Sequence, residues 1–221
     1  MPESFTEGAY LHDLLKWEQT GDYSRGVGVL TGSAALALGA VLGRLLTAGA
    51  TVAAAGGNTG NGVLTVDATD PVLTGAQPGD YSVICIAAAV NSGTFRVTAP
   101  DGSVLGDVVV GATFSNLIKF VIADGATDFV VGDTFTITAA EGSGNWVQLD
   151  QDATTGAEVA QGVLLRAADP SGGAVDAVIL ERDAIIMPDY LVWPAEITDG
   201  EKALALANLK AVGILTDRTG A

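Results

Sequence analysis

Positive charge and cysteine are what this chain has least of. Ten Lys and Arg stand against 26 Asp and Glu, a formal net charge of −16, and such a field repels a nucleic-acid duplex or an anionic lipid surface. Nucleic acid and membrane are therefore not expected as partners. The one cysteine, Cys85, can neither close a disulfide within the chain nor build a thiolate metal site. Set between Ile84 and Ile86, it reads as a small apolar filler. The one histidine, His12, sits beside Asp13 in the leading segment, where nothing holds it rigidly against a nucleophile as a Ser–His–Asp or Cys–His arrangement requires. Aromatic residues make up 6% of the chain, few for the stacking platforms of a glycosidase cleft.

Charge of either sign is scarce, at 16% against a usual ~25%. The 48% hydrophobic content excludes a disordered chain. A signal peptide is not expected, because Met1 is followed by an acidic opening without a basic n-region. Residues 26–43 contain no charge and reach the minimum length of a spanning helix. Glycines at 26, 28, 32, 39 and 43, with Thr31 and Ser33, weaken a helix there, and no basic cluster flanks the stretch. Strands broken by glycine turns are the better account. Gly56-Gly-Asn-Thr-Gly60 lacks the Gly-Lys-Ser/Thr ending of a phosphate loop, and the acidic pairs Asp67/Asp70 and Asp150/Asp152 lack EF-hand spacing. No catalytic, cofactor-binding or metal-ligating residue is expected, and no enzyme activity.

What is present falls into three zones. Residues 1–22 hold Tyr10, Leu11, Leu14, Leu15 and Trp17 among acids. Leu11, Leu14, Leu15 and Glu18 fall at helical spacing, but so short a helix is marginal alone, so the segment reads as an arm that needs a surface. Residues 58–141 are rich in β-formers: Val63-Leu-Thr-Val66, Tyr81-Ser-Val-Ile-Cys-Ile86, Thr94-Phe-Arg-Val-Thr98, Leu105 to Val110, Leu117-Ile-Lys-Phe-Val-Ile122 and Thr134-Phe-Thr-Ile-Thr138. Turn signals bound each run, Asp101-Gly102 being the strongest hairpin signal. That rhythm predicts a small antiparallel sandwich. Residues 23–57 and 142–221 share a style richer in Ala and Gly, with short strands at 145–149, 161–165 and 174–180. They end in one helix opened by the capping box Thr198-Asp-Gly-Glu201 and stopped by Gly213.

Two blocks resemble the lambda-type bacteriophage head decoration proteins. The first is Gly26-Val-Gly-Val-Leu-Thr-Gly-Ser-Ala-Ala-Leu-Ala-Leu-Gly-Ala-Val-Leu-Gly-Arg44. The second runs from Gly142-Ser-Gly-Asn-Trp-Val-Gln-Leu149 through residues 156–165 and Asp183-Ala-Ile-Ile-Met-Pro-Asp-Tyr-Leu-Val-Trp-Pro194 to the capped helix and Leu209-Lys-Ala-Val-Gly-Ile-Leu215. The expected fold is mainly β with one or two short helices. It consists of a discontinuous decoration domain (23–57 and 142–221), an inserted Ig-like or β-sandwich domain (58–141) and an extended N-terminal arm (1–22). The resemblance implies a structural virion protein, made in the host cytoplasm. It would bind the outer surface of an expanded capsid as homotrimers and clamp neighbouring capsomers, with the major capsid protein as its partner. Leu11, Leu14, Leu15, Trp17 and Tyr23 are the expected shell contacts, and Trp193 with Pro194 the expected core or subunit contact. The alternative is an adhesin or binding module of a tail or cell surface, in which residues 58–141 touch glycan or the host surface.

Overall fold

The computed structural model describes residues 10–216, and the chain divides into two compact units. Unit 1 comprises Met1–Leu45, Gly144–Ala153 and Ala157–Ala221, and unit 2 comprises Leu46–Ser143 and Thr154–Gly156. Unit 1 opens with α1 (Leu11–Leu14), β1 (Leu15–Glu18), α2 (Gly21–Ser24), β2 (Arg25–Leu30) and β3 (Val41–Arg44). The chain then passes through unit 2 as β4 (Thr47–Ala54), β5 (Val63–Val66), β6 (Gly79–Ala89), β7 (Ser92–Thr98), β8 (Val104–Val109), β9 (Thr113–Asn116), β10 (Ile118–Ala123) and β11 (Thr134–Glu141). It returns to unit 1 as β12 (Trp146–Gln148), β13 (Gly162–Leu164), β14 (Val175–Leu180), β15 (Ala184–Ile186), a 3-10 turn (Pro188–Tyr190), α3 (Asp199–Ala211) and β16 (Ile214–Thr216).

Unit 2 follows directly from its alternating sequence. Phe95 and Val97 on β7, Ile118, Phe120 and Ile122 on β10, and Phe135 and Ile137 on β11 are buried, while their neighbours point outward, the period-two pattern of a half-buried strand. A five-stranded sheet, β4-β11-β6-β7-β8, and a three-stranded sheet, β5-β10-β9, both antiparallel, share one core. Phe95 meets Phe129 edge-on at 5.0 Å, a favoured aromatic geometry. At the start of β6 the buried Tyr81 hydroxyl donates to the Gln77 carbonyl and accepts from the Gln77 amide, both at 3.0 Å. This return bond resembles the tyrosine corner of Greek-key sandwiches. The Asp101-Gly102 turn forms as expected, with Gly102 at φ +85° donating to the Ala99 carbonyl at 2.9 Å.

Buried Asp133 ties the loops of unit 2 together. Its carboxylate accepts from the amides of Thr59 (2.8 Å), Gly60 (2.9 Å) and Val130 (3.1 Å). Burial pushes its pKa up, but the three amides outweigh that, and the net position is below the ordinary carboxylate value.

The second unit begins at Leu46 rather than at residue 58. Strand β4, whose Ala/Gly/Thr composition matches the flanking pieces, pairs along β11 from Phe135↔Ala54 to Glu141↔Thr47. Pairing, not composition, sets this limit.

Unit 1 has two interiors. β12, β2, β14, β13 and β3 close into a barrel in that order, filled by Leu30, Leu36, Ala40, Leu42, Trp146, Leu164, Ala177 and Ile179. Alternate residues of the same strands, Val41, Val163 and Leu180, face a second core with Leu14, Ile186, Leu209 and Ile214. The sheet β1-β15-β16 and α3 supply much of this second core. Strands buried on both faces read as unbroken apolar runs, as in Val41-Leu42 and Val163-Leu164. Gly28 and Gly162 make room for the Trp146 indole, since a Cβ at either would run into its ring. The Arg44 guanidinium lies over that ring, 5.2 Å from its centroid, and donates from Nε to the Gly144 carbonyl at 3.2 Å.

Helix α3 is capped as its sequence predicts. Thr198 Oγ1 accepts from the Glu201 amide at 3.3 Å, and Glu201 Oε2 accepts from the Thr198 amide at 2.7 Å. Gly213, at φ +84°, turns the chain out of the helix.

The leading segment is not an extended arm over the described residues. Helical spacing gives way after Leu14, because Leu15–Glu18 pairs with β15 (Leu15↔Ile186, Trp17↔Ile185, Glu18↔Ala184). The first nine residues of the expected arm lie outside the described residues.

Candidate functional site

In unit 1, residues 10–25 are fastened to the chain around 181–187 by backbone bonds. The Met187 amide donates to the Leu14 carbonyl (2.8 Å), Gln19 to Asp183 (3.2 Å) and Glu181 to Ser24 (2.9 Å). Ser24, fully buried, accepts from the Gln19 amide at 3.3 Å and donates to the Asp183 carbonyl at 3.1 Å. Arg25 grips the Glu18 carboxylate with two bonds, 2.8 Å from Nε and 2.6 Å from Nη2. That fork geometry raises the Arg25 pKa above its ordinary value against an opposing effect of burial. Two single-turn helices are thus pinned without help from helix propensity.

The pinning decides which apolar side chains face outward. Leu14 is wholly enclosed in the second core, which removes it from the expected shell contacts. Leu11 and Leu15 pack against the same core and are partly covered. Trp17 (53% exposed) and Tyr23 (48%) remain outside, with the Arg182 guanidinium 5.5 Å over the Tyr23 ring. Trp193 is half-buried against the second core. Pro194 lines a surface cleft of about 540 Å³ with Thr31, Gln148, Asp150, Asp152 and Glu196.

Val27 and Val29 were not among the residues the sequence pointed to, yet they stand outward on β2, Val27 at 73% exposure. The Gly-Val-Gly-Val alternation carried the signal: Gly26 and Gly28 turn inward toward Glu181 and Trp146, so the valines must face the other way. Along β2, β12 pairs only at Leu30↔Trp146. Among the described residues no other strand takes up that side of residues 25–29. An open strand edge beside exposed apolar side chains suits backbone pairing with another chain.

His12 lies in α1 with its side chain 79% exposed, 3.3 Å from Asp13. Cys85 is buried in the unit 2 core, and burial raises its thiol pKa against a bond to the Ala87 carbonyl. Among the described residues no group of three or more His, Cys, Asp or Glu is placed to hold a metal ion. No described helix is long and apolar enough to cross a membrane.

Among solved structures, the chain is similar to Xanthomonas campestris FlgL, at 23% identity over 47% of this chain and 33% of that one with a TM-score of 0.32. It is also similar to the flagellar hook junction protein FlgK from Burkholderia pseudomallei, at 20% identity over 56% and 21% with a TM-score of 0.32. The chain thus spans about a third of FlgL and a fifth of FlgK, and scores this low identify neither as a structural counterpart. No curated protein matches the chain. A family sequence model, described as bacteriophage lambda head decoration protein D, matches residues 4–214. It takes in both flanking pieces and the strands between them, and the chain belongs to the bacteriophage lambda head decoration protein D family.

Proposed function

We propose that this protein binds the outer surface of an expanded phage capsid as homotrimers and stabilises the shell by clamping neighbouring capsomers. The observation that carries this reading is the family match across residues 4–214. The fold of unit 1 supports it: a small doubly cored scaffold that presents an open strand edge and exposed Trp17, Tyr23, Val27 and Val29. Strand addition to the major capsid protein gives orientation through backbone hydrogen bonds. Each large apolar side chain buried against the shell contributes roughly 1.5–3 kcal/mol, and three copies acting together turn weak contacts into firm attachment. Trp193 and Pro194 belong in this reading to packing within or between subunits. Unit 2 is an inserted sandwich of Ig-like character, and the protein performs no chemistry.

The test is to add purified protein to undecorated expanded capsids and image them by cryo-electron microscopy. Density at threefold and quasi-threefold positions is the expected result, with occupancy reduced by Trp17→Ala combined with Tyr23→Ala. Capsids that stay bare at saturating protein would overturn the proposal.

A further inference from the structure

Residues 55–62 of unit 2, between β4 and β5, carry no charge and no apolar side chain larger than alanine. Polar bonds fasten the middle of this loop to residues 127–134. Asn58 pairs through its side-chain amide with the Thr134 backbone, Nδ2 donating to the carbonyl and Oδ1 accepting from the amide, both at 2.8 Å. Asn61 does the same with Thr127: its Oδ1 accepts from the Thr127 amide at 2.8 Å, and its own amide donates to the Thr127 carbonyl at 3.2 Å. Between them the Thr59 and Gly60 amides both end on the Asp133 carboxylate, whose charge makes these the strongest bonds of the set. Under the loop lies Phe129, 1% exposed, so close that a Cβ at Gly60 or Gly62 would run into its ring. At the other end of the loop Gly56 and Gly57 are exposed with open space around them.

A segment with little apolar burial of its own, held by surface hydrogen bonds, opens locally at low cost. Asp133 would stay behind when it does, since its carbonyl accepts from the Cys85 amide at 2.8 Å and its amide donates to the Val130 carbonyl at 3.0 Å. We propose that residues 55–62 form an acid-released flap: protonation of Asp133 lets the loop swing on Gly56-Gly57 and uncovers Phe129 while the sandwich stays folded. The open state adds the Phe129 ring to its exposed neighbours Val130 and Val131, an apolar surface that the closed flap hides. The Asp133 carboxyl is held below its ordinary value. The clasp is therefore complete above the unfolded value of ~4 and is lost as pH falls through the folded value. Few other titratable groups meet Asp133. β6 brings Cys85, whose buried thiol is raised and so neutral throughout the acid range. The turn before Asp133 brings Asp128, bonded to the Asn91 amide at 2.9 Å. Arg96 of β7 is engaged with Asp107, and the flap and β11 as far as Ala140 bring none. The device goes beyond the decoration reading and does not depend on it.

The experiment follows amide hydrogen exchange of the full chain by NMR from about pH 7 to about pH 2, corrected for the intrinsic pH dependence of exchange, across the range in which the carboxyl titrates. Protection at Thr59 and Gly60 is expected to fall by about tenfold as Asp133 titrates, because a charged acceptor holds an amide more strongly than a neutral one. The amides of β6 and β11 should keep theirs, and the emission of the apolar dye ANS should rise over the same interval. Asp133→Asn should leave Thr59 and Gly60 unprotected at neutral pH and remove their pH dependence, whereas Asp128→Asn should leave the transition where it was. Four outcomes would overturn the proposal: flap and core amides that lose protection together, flap amides still protected after Asp133 has titrated, dye emission that stays flat through the transition, or a transition that moves with Asp128→Asn. Should Asp133→Asn fail to fold, the titration of the unsubstituted chain decides by itself.

Discussion

The two units solve the problem of a small core differently. Unit 2 closes two antiparallel sheets on one aromatic interior, and Phe95, Phe114, Phe120, Phe129 and Phe135 all lie in it. Unit 1 contains all three tryptophans and divides its aliphatic residues between two interiors that share walls. Unit 2 is nearly continuous in sequence. Unit 1 must bring residues 25–30 to residues 175–180 before its barrel exists. The difference teaches where information sits: local alternation defines the sandwich, whereas long-range register defines the scaffold. It also supplies separate probes, because tryptophan emission reports unit 1 alone and Tyr81 is the single tyrosine of unit 2.

Excision gives the largest expected effect. Leu45 and Gly144 are joined by a hydrogen bond of 2.9 Å, Leu45 also donates to Asn145 at 3.0 Å, and Arg44 already pairs with Trp146. Deleting residues 46–143 and joining Leu45 to Gly144 therefore leaves a hairpin between β3 and β12. The short 154–156 stretch loses its partners at Leu46 and Thr47. Thermal unfolding followed by tryptophan emission should stay cooperative; a broad, non-cooperative trace would break the distinction between the units.

Next in size is Trp146→Ala, which empties the barrel of its largest side chain and should cost about 3–5 kcal/mol. The tryptophan signal from Trp17 and Trp193 should shift to lower denaturant, while the circular dichroism transition of unit 2 stays put. Tyr81→Phe acts on the other side of the comparison. It strips the Gln77 amide and carbonyl of their shared partner, a loss of ~1–3 kcal/mol, and should lower the unit 2 midpoint alone.

Acid should separate the units further. In unit 2 the carboxyls of Asp67, Asp101, Asp107 and Asp133 are held below the ordinary value, Asp67 at about 2 through the Asp70 amide and Lys119. Unit 1 has Asp169 and Glu201 in that condition. A carboxyl with a depressed folded pKa adds stability above its unfolded value of ~4, and that stability is lost as pH falls through the folded value. Unit 2 should therefore lose more than unit 1 as pH drops from about 5 to about 2. Asp133→Asn should flatten that slope in pH-dependent denaturant melts. Thr198→Ala is the smallest change, about 1 kcal/mol from the lost helix cap, visible in unit 1 only.

Much of unit 2 was legible because its residues alternate between marked turns: Val63–Val66 and the hairpin at Asp101-Gly102 appear where the pattern puts them. The α3 cap was legible because its chemistry is local. β4 was not, since Ala and Gly carry little strand preference and β11 supplies the reason it is a strand. Nor was the fate of the leading segment, where helical spacing at Leu11, Leu14 and Leu15 competes with an empty edge on β15 that only the fold creates. For the candidate site, Trp17 and Tyr23 could be named from their size. The outward set of Val27 and Val29 depended on an indole 118 residues away from Gly28, at Trp146.

The walls shared by the two interiors of unit 1 carry a consequence for which changes of length this chain can absorb. Val41 and Leu42, Val163 and Leu164, and Ile179 and Leu180 alternate between the interiors, so a single inserted or deleted residue in any of these strands would exchange the contents of both at once. The connection between β3 and β12 holds a whole folded body, whereas the strands on either side of it would not tolerate a change of one residue in length.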